Sequence, residues 1–214
     1  MKIDNFTFVV AVRKGSQRVA NKNIRRFGES NLVETKLKQI RRISKNANIL
    51  LSSDCQKSLK IGRKYNATIN DRERKYCSNT IPMPEVYKYL AKKVQTKFVC
   101  YLHVTSPLLK DQTLKKALKI FIKRGSRYSS VVTVTILKEF LWLDKKAISY
   151  NPNKKPRSQD IKSVLSENFA INIITTKFMR EKGRIISDNF FPIELDFPEN
   201  IDIDDMWQFK IGNL

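Results

Sequence analysis

The chain has 214 residues, of which 42 are lysine or arginine and 20 are aspartate or glutamate, so its formal net charge is +22. A hydrophobic content of 41%, with few glycines and prolines, is typical of an ordered globular protein and argues against a disordered tail. No apolar run approaches the ~20 residues of a membrane span. Residues 1–5 lack a secretory signal, so we predict a cytoplasmic protein.

The positive charge makes nucleic-acid or anionic-membrane binding an alternative function. However, the basic residues are spread along the chain, and no helix-turn-helix, zinc-finger or RNA-recognition signature is present. Cys55, Cys77, Cys100 and the single histidine, His103, do not have the spacing of zinc ligands. We therefore do not expect nucleic acid to be the main partner or zinc to be bound.

Residues 6–12 are apolar and mostly β-branched or aromatic, which predicts a strand buried on both faces. The polar loop that follows, residues 13–23, contains Gly15, Ser16 and several cations. Glycine lets backbone amides approach an anion, and consecutive amides form a nest for phosphate oxygens. The sequence therefore predicts a phosphate-binding loop, although its spacing is neither that of a Walker A loop nor that of a dinucleotide fingerprint. The alternative is a solvated basic surface loop.

Strand-like and helix-like segments then alternate along the chain. We predict helices over 33–47, 55–65, 82–94 and 111–123, and strands over 48–51, 67–69, 98–102, 130–135 and 169–174. Residues 52–54 look like a helix-capping signal, and Tyr87 and Ile122 are expected on the inner faces of their helices. A short helix over 178–182 and a last helix with Trp207 and Phe209 complete the pattern. This alternation predicts an α/β fold with a mostly parallel twisted sheet flanked by helices.

Two later segments depart from this alternation. Residues 138–164 are aperiodic and basic, and we interpret them as a functional or interface insertion in a single domain that spans residues 1–214. Residues 201–205 alternate like a strand, which would point the carboxylates of Asp202 and Asp204 the same way. Two convergent carboxylates suit Mg²⁺ shared with substrate phosphates. The alternative is that both acids simply belong to the N-terminal turn of the last helix.

Several short motifs, in order, resemble those of the acylneuraminate cytidylyltransferase (CMP-sialic acid synthetase) family. The first is Arg13-x-Gly15-Ser16-x-Arg18 followed by Asn21-Lys22-Asn23, and the last is Ile201-Asp202-Ile203-Asp204. Between them lie Ser52-Ser53-Asp54, Arg72 with Ser78-Asn79, Thr105-Ser106-Pro107, Pro156-Arg157-x-Gln159 and Asn168. Each intermediate motif is weak alone, but their order over nearly the whole chain is specific.

The resemblance implies a fold of the nucleotide-diphospho-sugar transferase type and an enzyme that transfers CMP from CTP to a 2-keto-3-deoxy sugar acid, releasing pyrophosphate. It implies Mg²⁺ as cofactor, and it places Arg13, Lys22, Asp202 and Asp204 in catalysis, with Asp202 and Asp204 as metal ligands. It assigns nucleotide binding to Arg13, Gly15, Ser16, Gln17, Lys22, Asn23, Arg72 and Ser78, and sugar-acid binding to His103, Thr105, Ser106, Arg157 and Asn168. It also implies sugar-nucleotide biosynthesis for a surface polysaccharide, and a homodimer formed through residues 138–164.

The sequence departs from the family pattern mainly on the sugar side, at His103, Ser166 and Asn172. Lys14 and Gln17 also differ from the usual loop residues. Sialic, legionaminic and pseudaminic acids and shorter keto acids therefore remain open as substrates. An inactive or diverged cytidylyltransferase and a basic nucleic-acid-binding protein remain as alternatives.

Overall fold

The computed structural model describes residues 3–124 and 129–213, which form eleven strands and six α-helices. The helices are α1 Leu32–Ile43, α2 Gln56–Lys64, α3 Met83–Lys92, α4 Asp111–Arg124, α5 Thr176–Lys182 and α6 Met206–Ile211. The strands are β1 Phe6–Ala11, β2 Arg26–Phe27, β3 Ser30–Asn31, β4 Asn48–Ser53, β5 Thr68–Asp71, β6 Phe98–Leu102, β7 Ser130–Leu137, β8 Trp142–Leu143, β9 Lys146–Ala147, β10 Val164–Thr175 and β11 Phe190–Glu194. No helix in these ranges is long and apolar enough to cross a membrane.

Seven strands form the central sheet, in the order β11-β7-β10-β6-β1-β4-β5. β1 pairs in parallel with both β4 and β6, so that Val9 lies beside Leu50 and Tyr101. β10 runs antiparallel to β6 and β7, whereas β11 is parallel to β7. The predicted mostly parallel sheet is therefore confirmed, with one antiparallel strand inserted in it.

The strand predicted over residues 6–12 is buried on both faces, as expected. Phe6, Phe8 and Val10 point into a core covered by α1, α4 and α6. Val9 points to the other face, into a second core that α3 and α5 cover. A strand covered on both sides has no solvated face, which explains its continuous apolar sequence.

Several local predictions are wrong. Residues 201–205 form no strand, and α1 ends at Ile43 because Ser44 is already extended. No side chain caps α2, since its N-cap residue is Cys55. On α3 the buried tyrosine is Tyr89 whereas Tyr87 is only partly buried, and Ile122 of α4 is 47% exposed. β11 was not predicted, because residues 190–194 show neither alternation nor a long apolar run.

Candidate active site

The candidate site lies at the carboxyl ends of β1, β4 and β6, where open α/β sheets bind ligands. The loop over residues 13–23 leaves β1 there, with Gly15 at φ +80° and Asn21 at φ 55°. Val19 is fully buried and anchors the middle of the loop. A short turn follows, in which the Lys22 amide donates to the Val19 carbonyl at 3.1 Å. The loop thus begins at the carboxyl end of β1, where the sequence placed it, and Val19 anchors it there.

A cleft of about 300 Å³, here called the cation cleft, lies under this loop. The loop supplies most of its wall, and the turn after β6 and the segment before α6 supply the rest. Its lining residues are Ala11, Val12, Arg13, Ser16, Gln17, Arg18, Lys22, Asn23, His103, Val104, Thr105 and Asp204. Three side chains with positive charge and one carboxylate face a small volume, so the cleft suits a phosphate-bearing ligand.

Lys22 joins the phosphate loop to the segment that carries the two aspartates. Its side chain is almost buried, and its Nζ donates to the Ile203 carbonyl and lies 3.4 Å from Asp204 Oδ1. Arg18 Nη2 lies 2.8 Å from the same oxygen. Asp204 is thus paired with two loop cations, and Lys22 fixes the backbone between the two aspartates.

Asp202 lies beside this group but is more deeply buried. It accepts a hydrogen bond from the Thr105 side chain, while its Oδ1 is buried and has no hydrogen-bond partner among the described residues. Burial raises the pKa of Asp202, and the nearby negative charge of Asp204 adds to this effect. Residues 201–205 are not a strand, so strand alternation does not bring the two carboxylates together. Hydrogen bonds from Lys22 and Thr105 hold them in place instead.

A second cleft of about 350 Å³, here called the aromatic cleft, adjoins the first. Tyr76, Tyr101, Ile81, Met83 and Val86 supply much of its wall, and Arg72, Cys77, Ser78 and Asn79 also line it. Ala11, Arg13 and His103 line both clefts. The Arg13 guanidinium donates to Asn79 Oδ1, so one arginine spans the boundary. A ligand with a charged part and a flat part could occupy both clefts at once.

Arg72 is not a solvated surface cation, although it lies in a basic loop. It is only 7% exposed, and its Nη2 donates to the carbonyls of Val12 and Ser52 at the ends of β1 and β4. Its Nε is buried without a partner among the described residues. Arg72 therefore fixes the ends of β1 and β4, and it also lines the aromatic cleft.

His103 separates the two clefts. Its ring packs between Tyr101 and Phe169, at centroid distances of 4.9 and 5.4 Å, and its Nε2 is buried without a partner among the described residues. Burial, and to a lesser degree the charge of Lys36, lowers the pKa of His103 from 6.5 to about 4. The imidazole is therefore neutral at pH 7, with one ring nitrogen that can donate a hydrogen bond and one that can accept one.

This burial of a neutral histidine predicts a pH dependence of stability. The unfolded chain protonates His103 near pH 6.5 and the folded chain only near pH 4, so protons favour unfolding in this range. At 1.36 kcal/mol per pKa unit, the loss of unfolding free energy on acidification reaches about 3 kcal/mol. Urea titrations of the wild type and His103→Gln between pH 7 and pH 4 should diverge by this amount. Parallel curves would show that the folded histidine titrates normally.

The remaining predicted site residues lie elsewhere. Gly15 faces a small cavity behind the loop, and Ser78 lines the aromatic cleft, where its hydroxyl also bonds within its own turn. Ser106 is fully buried, and neither cleft includes it. Asn168 is buried and donates to Thr135 Oγ1 at 3.2 Å, while Arg157 is exposed and also lies outside both clefts. The nucleotide contacts proposed for Gly15 and Ser78, and the sugar-acid contacts proposed for Ser106, Arg157 and Asn168, stay predictions.

Two positions were underestimated in the sequence. Asp54, interpreted as a helix cap, accepts a hydrogen bond from the Lys14 amide at 2.7 Å and so holds the start of the phosphate loop. Arg18 contributes the closest ion pair to Asp204. An acid directly after β4, at the same sheet edge as the loop, was the available signal for Asp54.

This sheet, with a basic glycine-containing loop after its first strand and a cleft at the strand ends, defines a nucleotidyltransferase fold. A solved CMP:2-keto-3-deoxy-manno-octonic acid synthetase, in complex with CTP, has the same fold, with a TM-score of 0.68 at 9% identity over 97% of this chain and 96% of that one. The chain belongs to the cytidylyltransferase family, whose model matches residues 7–185.

Two curated relatives align with almost the whole chain. A pseudaminic acid cytidylyltransferase of Campylobacter jejuni subsp. jejuni serotype O:23/36 is 26% identical, and the match covers 96% of this chain and 94% of that protein. An N-acylneuraminate cytidylyltransferase of the fish Oncorhynchus mykiss is 22% identical over 93% of this chain and 48% of its own length. The family resemblance seen in the motifs is therefore confirmed.

Proposed function

We propose that the protein transfers CMP from CTP to a 2-keto-3-deoxy sugar acid and releases pyrophosphate. The observation that carries this proposal is the cation cleft, in which Arg13, Arg18 and Lys22 face Asp204 next to an aromatic cleft. The family and the names of the two curated relatives, which specify pseudaminic acid and N-acylneuraminate, support CTP and a keto sugar acid as substrates.

In the proposed reaction, the anomeric hydroxyl oxygen of the sugar acid bonds to the α-phosphorus of CTP. The bond from this phosphorus to the bridging oxygen breaks, its electron pair leaves with pyrophosphate, and the hydroxyl proton passes to solvent. Such a transfer depends mainly on positioning and charge neutralisation. Arg13 and Lys22, with Ser16, Gln17 and the loop amides around Gly15, would hold the triphosphate. Asn23, Arg72 and Ser78 would contact the nucleoside.

We further propose that Asp202 and Asp204 hold a magnesium ion. The donor set fits, because Asp202 presents a buried oxygen without a partner among the described residues, and the charge of Asp204 adds to the raised pKa of Asp202. The described residues contain no cluster of three or more such side chains, so substrate oxygens and water would complete the shell. When bound, the ion would neutralise phosphate charge and lower the pKa of the attacking hydroxyl. Arg18 and Lys22 hold Asp204 in place for this role.

On the sugar side, His103 and Thr105 are the predicted residues that line the cation cleft. A neutral His103 would donate one hydrogen bond to a sugar hydroxyl or amide, or accept one from it. A nearby cation would bind the carboxylate of the sugar acid. We place the reaction in the cytoplasm, where CTP is made.

The direct test is pyrophosphate release with CTP and Mg²⁺ across a panel of sugar acids, namely N-acetylneuraminate, legionaminate, pseudaminate and a shorter keto acid. ATP, GTP and UTP serve as controls. We expect release with one acid and CTP only. CTP binding without release across the panel would indicate a diverged or inactive enzyme. Absence of CTP binding would contradict the proposal and favour a basic nucleic-acid-binding protein, whose affinity would fall steeply with salt.

We also propose a homodimer formed through residues 138–164. β7 and β10 extend beyond β6 as a two-stranded ribbon, in which Leu165 pairs with Ile136. The ribbon and the adjoining β8–β9 hairpin expose Trp142, Leu143 and Leu165 at 55, 62 and 45%. Large exposed apolar side chains of this kind are typical of a protein interface.

Replacing Trp142 with alanine is expected to shift the protein from dimer to monomer in sedimentation velocity at micromolar concentration. The reason is that large aromatic anchors contribute most to such interfaces, at roughly 2 kcal/mol or more each. Trp207→Ala is the matched control, since Trp207 is 69% exposed but lies on α6, outside the insertion. An intact dimer with unchanged activity in Trp142→Ala would contradict this interface.

A further inference from the structure

Helix α1 carries a row of polar side chains that the proposed reaction does not use. Lys36, Gln39 and Arg42 are spaced three residues apart and therefore share one face of the helix. Lys36 is only 1% exposed and is among the largest fully buried side chains of the protein. A buried ammonium is costly unless hydrogen bonds replace its water, so the partners of Lys36 indicate what it does.

The row fastens α1 to the segment between β6 and α4. Lys36 Nζ donates to the Ser106 carbonyl and to Gln39 Oε1, both at 2.9 Å. Gln39 Nε2 in turn donates to the Leu109 carbonyl and to Asp111 Oδ1. Arg42 pairs with the same aspartate through two hydrogen bonds. Lys36 is the member of this row that reaches closest to the cation cleft.

The segment that Lys36 holds forms one wall of the site. His103 and Thr105, which precede Ser106 by three residues and by one, line the cation cleft. The Thr105 carbonyl accepts a hydrogen bond from the Ile203 amide at 2.7 Å. The Ile203 carbonyl in turn accepts a hydrogen bond from Nζ of Lys22, in the phosphate loop. The residue between the two aspartates is therefore held between the turn and the loop.

We propose that Lys36 is a positioning residue for the transfer reaction, and this inference rests on the proposed function. Its hydrogen bond to Ser106 sets the turn over residues 103–107, and this turn sets both His103 and, through the bond from Ile203 to Thr105, the aspartates. Lys36 touches no substrate and acts only through this backbone. Two buried lysines, Lys36 behind the turn and Lys22 behind the loop, thus determine where the acidic segment lies.

The charges around Lys36 are consistent with this role. Burial lowers the pKa of Lys36 to about 7, while the negative charge of Asp111 favours its charged form and the positive charge of Arg42 opposes it. The positive charge of Lys36 also contributes to the lowered pKa of His103, which lies on the same turn. A neutral amine keeps two donors, so the bonds to Ser106 and Gln39 can persist in either protonation state.

Three variants separate the hydrogen bond from the charge. Lys36→Met removes both, Lys36→Gln retains an uncharged donor on a shorter side chain, and Lys38→Met removes an exposed charge from the same helix. We expect kcat to fall about 10- to 100-fold in Lys36→Met, because small displacements of reacting groups have effects of this size. The KM for CTP should change much less, and a higher Mg²⁺ concentration should be needed for half-maximal rate. Lys36→Gln should recover part of kcat, and Lys38→Met should match the wild type.

The second readout is independent of turnover. His103 is the only histidine in the chain, so its imidazole resonances can be identified directly by NMR. Lys36→Met should shift these resonances and the backbone amides of Thr105 and Ile203, and the pKa of His103 should rise in both Lys36 variants. Thermal unfolding shows whether each variant is folded. If Lys36→Met is not folded, the comparison with the wild type is made with Lys36→Gln.

The outcomes distinguish this inference from the proposed function. If the wild type releases no pyrophosphate with any acid, the proposed function fails, but the amide shifts still show whether Lys36 positions the turn. The inference is overturned if folded Lys36→Met keeps the kcat and the Thr105, Ile203 and His103 resonances of the wild type. It is also overturned if Lys38→Met loses as much kcat as Lys36→Met, because the charge of the helix and not the hydrogen bond to Ser106 would then matter.

Discussion

Asp202→Asn is expected to abolish turnover while the protein stays folded. In the proposed site this substitution removes one of two carboxylates from the metal pair and leaves the amide in the same buried position. Metal-ion stabilisation of a transition state is worth several kcal/mol, and each ~1.4 kcal/mol is a factor of ten, so we expect a loss of at least about 10³-fold in kcat. Pyrophosphate release at saturating CTP measures this effect.

The fold should tolerate this change because burial opposes the charged form of Asp202. Its pKa is raised, so the ionised carboxylate destabilises the native state at pH 7, and a neutral amide removes that cost. The melting temperature should be unchanged or higher. Calorimetric titration of Mg²⁺ in the presence of CTP should show weaker binding. This result would link the loss of activity to the metal and not to misfolding.

Asp205→Asn is the matched control for this experiment. Asp205 is exposed and caps α6, where it accepts a hydrogen bond from the Gln208 amide at 2.8 Å, and asparagine is an equally good N-cap residue. The control should therefore retain both stability and turnover. Full activity in Asp202→Asn would show that the metal assignment is wrong.

Lys22→Met is expected to produce the second large effect, on both activity and stability. Removing the ammonium takes one cation from the cation cleft, and loss of a single transition-state donor typically costs about 10²–10³-fold in kcat. It also leaves the Ile203 carbonyl without its buried donor, which costs about 1–3 kcal/mol. Kinetics with CTP and urea unfolding measure the two losses separately.

Lys14→Met is the control for Lys22→Met, because it removes the same charge from an exposed position in the same loop. Only the backbone amide of Lys14 takes part in the loop structure, through Asp54, and a methionine retains that amide. The control should therefore affect CTP binding weakly, through the long-range field alone. Equal losses in both variants would show that total loop charge matters and the position of Lys22 does not.

Helices and strands could be predicted where a short stretch of sequence carries a clear hydrophobic pattern. β1 and β6 are short, continuous apolar runs because helices cover both faces of the sheet, and α4 shows its buried face as a repeat of Leu114, Ala117 and Phe121. β11 left no such signal, since Phe190–Glu194 is a strand only because β7 lies beside it. Helix ends and caps were less accurate, because single tertiary contacts decide them.

In the candidate site, too, residues close in sequence could be predicted, whereas contacts between distant residues could not. The loop residues Arg13, Gly15, Ser16 and Lys22 are close in sequence, so their order alone pointed to phosphate binding. The alternation of Asp202 and Asp204 suggested a strand and was misleading, although the two acids do lie together. Their actual arrangement depends on Lys22 and Thr105, which lie about 180 and 100 residues away along the chain.

The α/β class, the position of the phosphate loop and the family could be predicted from the sequence, because these depend on residue type and local order. Only the tertiary structure showed that Arg72 is buried under the strand ends, that His103 is neutral between two clefts, and that Lys36 holds the turn beside them. Burial and hydrogen-bond partners determine what a charged side chain does. Both are properties of residues brought together from distant parts of the chain, and no local pattern records them.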